Sequence, residues 1–125
     1  MRTQRKQFEV ERIGDTVIIS FTNRKLLDEE NIIRIGEQIF KLINEEGWRK
    51  ILFDWGNVEY VSSTALGKFI TLEKTMQGNG GKMVICQVDP QIFEVFKITR
   101  LNKFFTFTKT KDDGLVELQP KEVVE

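Results

Sequence analysis

Asn57-Val58-Glu59-Tyr60-Val61-Ser62-Ser63-Thr64-Ala65-Leu66-Gly67 joins a strand pattern to a helix pattern across three consecutive hydroxyl residues, and its reading decides the fold. Just upstream, the run KILFD (residues 50–54) is short and apolar, as a strand buried on both faces should be. Downstream, Ala65, Phe69, Leu72 and Met76 recur at helical spacing until Gly78-Asn79-Gly80-Gly81 breaks the pattern. Ser62, Ser63 and Thr64 all belong to the residue types that cap a helix N-terminus. A buried strand that feeds a helix through a short loop is the repeating unit of an α/β domain, in which parallel strands need helical crossovers.

The same unit repeats outward in both directions. Before it, FEVERIGDTVIISF (residues 8–21) alternates apolar and polar residues on either side of Gly14-Asp15, which predicts a β-hairpin. Asp28 is then placed to cap a helix, with Glu29 and Glu30 at its positive end and Ile32, Ile35, Ile39 and Ile43 as its buried stripe, closed by Gly47. After it, KMVIC (residues 82–86) resumes as strand, and Asp89-Pro90 opens a third helix carrying Ile92, Phe93 and Phe96. FFTFT (residues 104–108) closes the sheet, and a short helix follows near Leu115. The expected architecture is a single α/β domain over residues 8–118, a mixed sheet of about five strands with three to four helices packed on it. Residues 1–7 and 119–125 form tails.

Composition narrows the function. Of the 125 residues 40% are hydrophobic and 30% charged, the balance of an ordinary globular chain, and basic and acidic residues are equal at 19 each. A nucleic-acid binder would show a basic excess, so none is expected here. There is no histidine and one cysteine, Cys86, which rules out the usual zinc sets, Ser-His-Asp triads and Cys-His pairs. No apolar stretch follows the basic start MRTQRKQFEV, so neither signal peptide nor membrane span is read and the protein is expected in the cytoplasm.

Few motifs carry chemistry. Gly78-Asn79-Gly80-Gly81-Lys82 leaves a helix and enters a strand, the reverse of a phosphate loop, and lacks the required spacing, so it reads as a turn. Asp28, Asp54, Glu59 and Asp89 could supply paired carboxylates, three of them near strand ends or helix starts on one rim, but capping and solvation account for them and no nucleophile or metal partner accompanies them. Trp55 and Tyr60, aromatics in the loop beside the hydroxyl run, are candidate partner anchors. The hydroxyl run itself has two readings. In one, Ser62 or Ser63 caps the helix and its neighbours are incidental. In the other, a hydroxyl here accepts a phosphate, which the free N–H groups and dipole at a helix N-terminus would favour by about 0.3–1 kcal/mol. Such a phosphate would add about −1.5 to −2 charges and expel a partner packed on that surface.

Residues 57–67 resemble the signature of the STAS-domain proteins, the bacterial anti-sigma-factor antagonists, in which Asp-Ser-Ser/Thr-Gly-Leu-Gly leads from strand and loop into a helix. The likeness continues through Gly80-Gly81-Lys82-Met83-Val84-Ile85-Cys86 and through Ile92-Phe93-Glu94-Val95-Phe96-Lys97-Ile98-Thr99-Arg100-Leu101-Asn102-Lys103-Phe104-Phe105, so it covers nearly the whole domain. By this resemblance Ser63 matches the phosphorylated serine, Thr64 the hydroxyl after it, Leu66 and Gly67 the helix start, and Asp28 an acidic residue beside the serine. The resemblance implies a protein that binds an anti-sigma factor, itself a serine-protein kinase, and so releases a sigma factor for transcription. Phosphorylation at Ser63 or Thr64 would switch it off and a phosphatase would reset it. The partner-binding rim would comprise Asp28, Trp55, Tyr60, Ser62, Ser63, Thr64, Leu66 and Gly67, with no catalytic residue, metal or cofactor. Two positions depart from the family pattern: Ser62 stands where the aspartate is expected and Ala65 where a glycine is. They leave an alternative, a non-phosphorylated STAS interaction or scaffold module in a bacterial signalling complex.

Overall fold

In the computed structural model, which describes residues 8–22 and 29–119, the chain opens with the expected hairpin. Strand β1 (Phe8–Ile13) pairs antiparallel with β2 (Thr16–Phe21), Ile13 opposite Thr16, through the two-residue turn whose Gly14 has φ 62°. Helix α1 (Glu29–Glu46) then leads to β3 (Lys50–Asp54), α2 (Ser63–Gly78) to β4 (Lys82–Cys86), and α3 (Pro90–Ile98) to β5 (Phe107–Thr108). The strands lie in the order β1-β2-β3-β4-β5, all parallel from β2 onward, and α4 (Lys111–Leu118) ends the described chain. Asp28, read from sequence as the cap of α1 and part of the binding rim, lies outside the described residues, as do the tails 1–7 and 120–125.

Because side chains alternate across a strand, each of the central strands supplies both faces of the sheet. Val17, Ile19, Phe21, Ile51, Phe53, Met83 and Ile85 face α1, α2 and α3, and the four isoleucines of α1 and the Ala65-Phe69-Leu72-Met76 stripe of α2 are buried against them as the periodicity predicts. Each fully buried isoleucine there contributes roughly 1.5–3 kcal/mol by leaving water. On the opposite face Ile18, Leu52, Val84 and Cys86 pack under α4 through Leu118. The helix comes close because residue 114 is glycine: a Cβ there would lie 2.5 Å from Leu52 Cδ1.

One sequence expectation fails in detail. FFTFT is not a strand over its whole length, since only Phe107 and Thr108 pair with β4. Arg100, at φ 64°, turns the chain out of α3 into a 3-10 turn at Leu101–Lys103, and the N–H groups of Phe104 and Phe105 both return to the Leu101 carbonyl. Phe105 is thereby committed to an aromatic cluster, edge-on to Phe96 at 5.6 Å, instead of a ladder. The helix near Leu115 is present as α4.

Candidate functional site

The strand-to-helix loop after β3 is held at both ends. Trp55 N–H donates to the Cys86 carbonyl at 3.0 Å, which continues the parallel pairing one residue past the strand, and Val58 N–H closes a turn on the Trp55 carbonyl at 3.0 Å. Asp54 Oδ1 accepts from Gly56 N at 2.8 Å, and Asn57 Nδ2 donates to the Phe21 carbonyl at 3.3 Å. With Val58 buried, the loop exposes Glu59 and Tyr60, the latter 49% exposed.

The three hydroxyl residues then take three different positions. Ser62, in extended backbone with φ −86° and ψ 165°, is the cap of α2: its Oγ accepts from Ala65 N at 3.1 Å and its carbonyl from Leu66 N at 3.0 Å. It is only 5% exposed. Ser63 is the first residue of the helix and is exposed, while Thr64 is half-buried. No acidic residue occupies the first turn of α2, so the positive end of its dipole is unopposed within the helix. Ala65 turns its methyl into the core, where it is fully buried, so alanine is accommodated at the position where the family pattern has glycine. Leu66 is half-buried and Gly67 exposed.

Among the rim residues read from sequence, Tyr60, Ser63 and Gly67 therefore reach the surface, Thr64 and Leu66 partly so. Trp55 does not. It is fully buried, edge-on to Phe69 at 5.0 Å and tilted against Phe96 at 5.6 Å, a core residue and not a partner anchor. Two of the candidate carboxylates have local structural work. Asp89 caps α3, accepting from Gln91 N at 2.8 Å, and Asp54 serves the turn at Gly56. The Cys86 thiol is pushed up to about 12, first by burial and then by the nearby Asp54 carboxylate, with Lys111 opposing weakly, so it has no thiolate character at neutral pH.

Sequence reading missed a polar cavity of about 180 Å³ on the same rim, lined by Ser20, Phe21, Asp54, Gly56, Asn57 and Gln87. Its residues come from the ends of three strands, and only the expected parallel register of β2, β3 and β4 could have brought them together beforehand.

The family follows from comparison. The STAS domain family model matches residues 7–114, the span that carries the whole sheet and the Ser63 helix. The chain belongs to the STAS domain family. An anti-sigma factor antagonist of Thermotoga neapolitana is 26% identical over 86% of this STAS chain and 95% of its own length. One from Bordetella bronchiseptica is 26% identical over 54% of the chain, an alignment that spans 59% of that relative. The crystal structure of an anti-sigma factor antagonist from Thermotoga maritima superposes with a TM-score of 0.81 at 22% identity, covering 89% of this chain and 93% of that one, a likeness of fold. No helix among the described residues of this STAS protein is long and apolar enough to cross a membrane.

Proposed function

We propose that this protein is an anti-sigma factor antagonist that binds an anti-sigma factor through the rim around Ser63 and so releases a sigma factor, and that phosphorylation of Ser63 ends the contact. The observation that carries this reading is the division of labour at the start of α2. Ser62 is buried and occupied as the cap, Thr64 is half-buried, and Ser63 offers an exposed hydroxyl at a helix N-terminus that lacks acidic residues. A phosphate there meets a favourable dipole, so it is added without unfolding the domain. It then sets about −1.5 to −2 charges against a partner surface that has been desolvated on binding, which weakens the complex. The partner is an anti-sigma factor that is also the serine kinase, Thr64 is the secondary acceptor, a phosphatase restores the binding form, and the protein acts by contact without catalysis of its own.

The test is affinity for a cognate anti-sigma factor. Ser63→Asp should weaken binding at least tenfold, about 1.4 kcal/mol, while Ser63→Ala leaves it near wild type. Equal binding by both variants ends the electrostatic switch. A second reading is favoured by Ser62, whose hydroxyl takes the capping role where the family pattern places a carboxylate: a constitutive STAS adaptor that no kinase modifies. Intact-mass spectrometry after incubation with ATP and the anti-sigma kinase separates the two. One added phosphate located at Ser63 or Thr64 supports the switch, and no transfer by a kinase active on other substrates supports the adaptor.

A further inference from the structure

The cavity beside β2, β3 and β4 has features that the Ser63 rim does not use. Ser20, Asp54 and Cys86 lie side by side in register on the face that α4 covers, with Ser20 and Asp54 at the carboxyl ends of their strands, where α/β sheets commonly bind ligands. Asp54 is half-buried, lines the cavity, and has no ion-pair partner among the described residues, none of which brings a cationic side chain to the lining. Its Oδ1 is held by Gly56 N, which fixes the carboxylate in place and leaves Oδ2 open. The Ser20 hydroxyl and the Gln87 amide also find no hydrogen-bond partner among the described residues, although both line the cavity. Gln87 is held at φ 60°, a backbone conformation uncommon for a side chain of its kind and one that recurs at ligand clamps. Residue 56 is the floor of this space. A Cβ on Gly56 would lie 3.0 Å from Asp54 Oδ1 and 3.2 Å from Gln87 Oε1, so two acceptor oxygens converge over a position that only glycine leaves open.

We infer that this cavity binds the ammonium group of a small primary amine. An R–NH3+ group carries three donors and one positive charge, and the cavity presents Asp54, Ser20 Oγ and Gln87 Oε1 as three open acceptors with one negative charge. A volume of about 180 Å³ holds a group of a few heavy atoms. The site is separate from the hydroxyl of Ser63 and does not depend on its phosphorylation.

Ethanolamine and choline make a matched pair of probes, alike in charge and hydroxyl group, but choline has no N–H to donate. In amide NMR titrations of the full chain at constant ionic strength, ethanolamine should shift the Gly56, Asn57 and Gln87 signals saturably at millimolar concentration, and choline should not. Asp54→Asn keeps an oxygen for the Gly56 N–H but removes the charge. Gly56→Ala fills the floor and keeps the charge. Each should weaken ethanolamine binding by about tenfold or more, Asp54→Asn through the lost charge-assisted hydrogen bond and Gly56→Ala through the lost space, with the remaining amide spectrum unchanged. The inference is overturned if ethanolamine gives no saturable shift, if choline binds equally well, or if Asp54→Asn binds like wild type. It is overturned also if Nα-acetyl-lysine methylamide binds where ethanolamine does not, since the group recognised would then be a peptide lysine.

Discussion

Ser62 and Ser63 are chemically identical neighbours, and the backbone alone gives them different work. The residue with extended φ and ψ points its hydroxyl back at Ala65 N, while the next residue, already helical, points outward. Removing the cap should therefore cost stability and removing its neighbour should not: in urea unfolding, Ser62→Ala should lose about 1 kcal/mol, Ser62→Asp should retain the cap, and Ser63→Ala should stay within about 0.5 kcal/mol of wild type. Equal losses for the two alanine variants would mean that the cap belongs to neither. That one serine caps the helix was legible from the order of residue types; which one was not, because Ser62 and Ser63 are equally good caps and only the point where the helix begins distinguishes them. Trp55 shows a signal that was present and unused. Ile51, Phe53 and Trp55 continue a period of two, so the first loop residue inherits the inward face of β3, and alternation carried one step past the strand predicts its burial. Reading it as a surface anchor came from its place in a loop, where aromatic residues are often exposed for binding.

At the scale of elements, the stripes of α1 and α2 and the central strands were legible because their apolar periods are long and unbroken. β5 was not. FFTFT has strand composition throughout, yet the left-handed turn at Arg100 and the 3-10 turn after it use up Phe104 and Phe105 before pairing begins. Such a competition depends on aromatic packing around Phe96, which sequence periodicity does not report. The contact of α4 with β3 gives a prediction with opposing terms. Alanine at residue 114 would raise helix propensity by about 1 kcal/mol over glycine in an exposed helix. Here the added Cβ would meet Leu52 Cδ1 at 2.5 Å and Thr108 Oγ1 at 3.1 Å, and Leu52 is fully buried, so it cannot swing into solvent. Overpacking should win: Gly114→Ala is expected to lose about 1–3 kcal/mol in thermal or urea unfolding, whereas Gly67→Ala, where a Cβ meets nothing within 4 Å, should be neutral or stabilising. A stabilised Gly114→Ala would show that α4 lies farther from the sheet than its contacts indicate.

For the whole molecule, the candidate surface is assembled from distant parts of the chain. Ser20, Asp54 and Gln87 share a cavity because β2, β3 and β4 run parallel in register, and no local pattern marks Ser20 or Gln87 as part of a site. Ser63, by contrast, announced itself within eleven consecutive residues. Global stability gives the remaining prediction, through Glu73. This residue of α2 is 7% exposed, its Oε2 accepts from Gln77 Nε2 at 2.6 Å, and its Oε1 finds no hydrogen-bond partner among the described residues. Burial raises its pKa above the ordinary 4.5, with the Gln77 hydrogen bond and the Lys82 charge only partly opposing it. The sign follows from proton counting. Between the ordinary value and the raised one, the native state holds a proton that the unfolded chain has released, so stability must fall as pH rises through that window. Its contribution is fully present below 4.5 and lost once the native carboxyl ionises, with a slope of at most about 1.4 kcal/mol per pH unit for one proton. Glu73→Gln keeps the size and a hydrogen-bonding group without the charge. Other carboxylates act alike in both proteins, so the difference in stability between Glu73→Gln and wild type isolates this one. Measured from about pH 4 to about pH 8 by chemical denaturation, that difference should grow in favour of the glutamine variant as pH rises and then level off. A difference that stays flat would mean that Glu73 reaches solvent in the native state, and one that shrinks would mean that its charge is stabilised by Lys82.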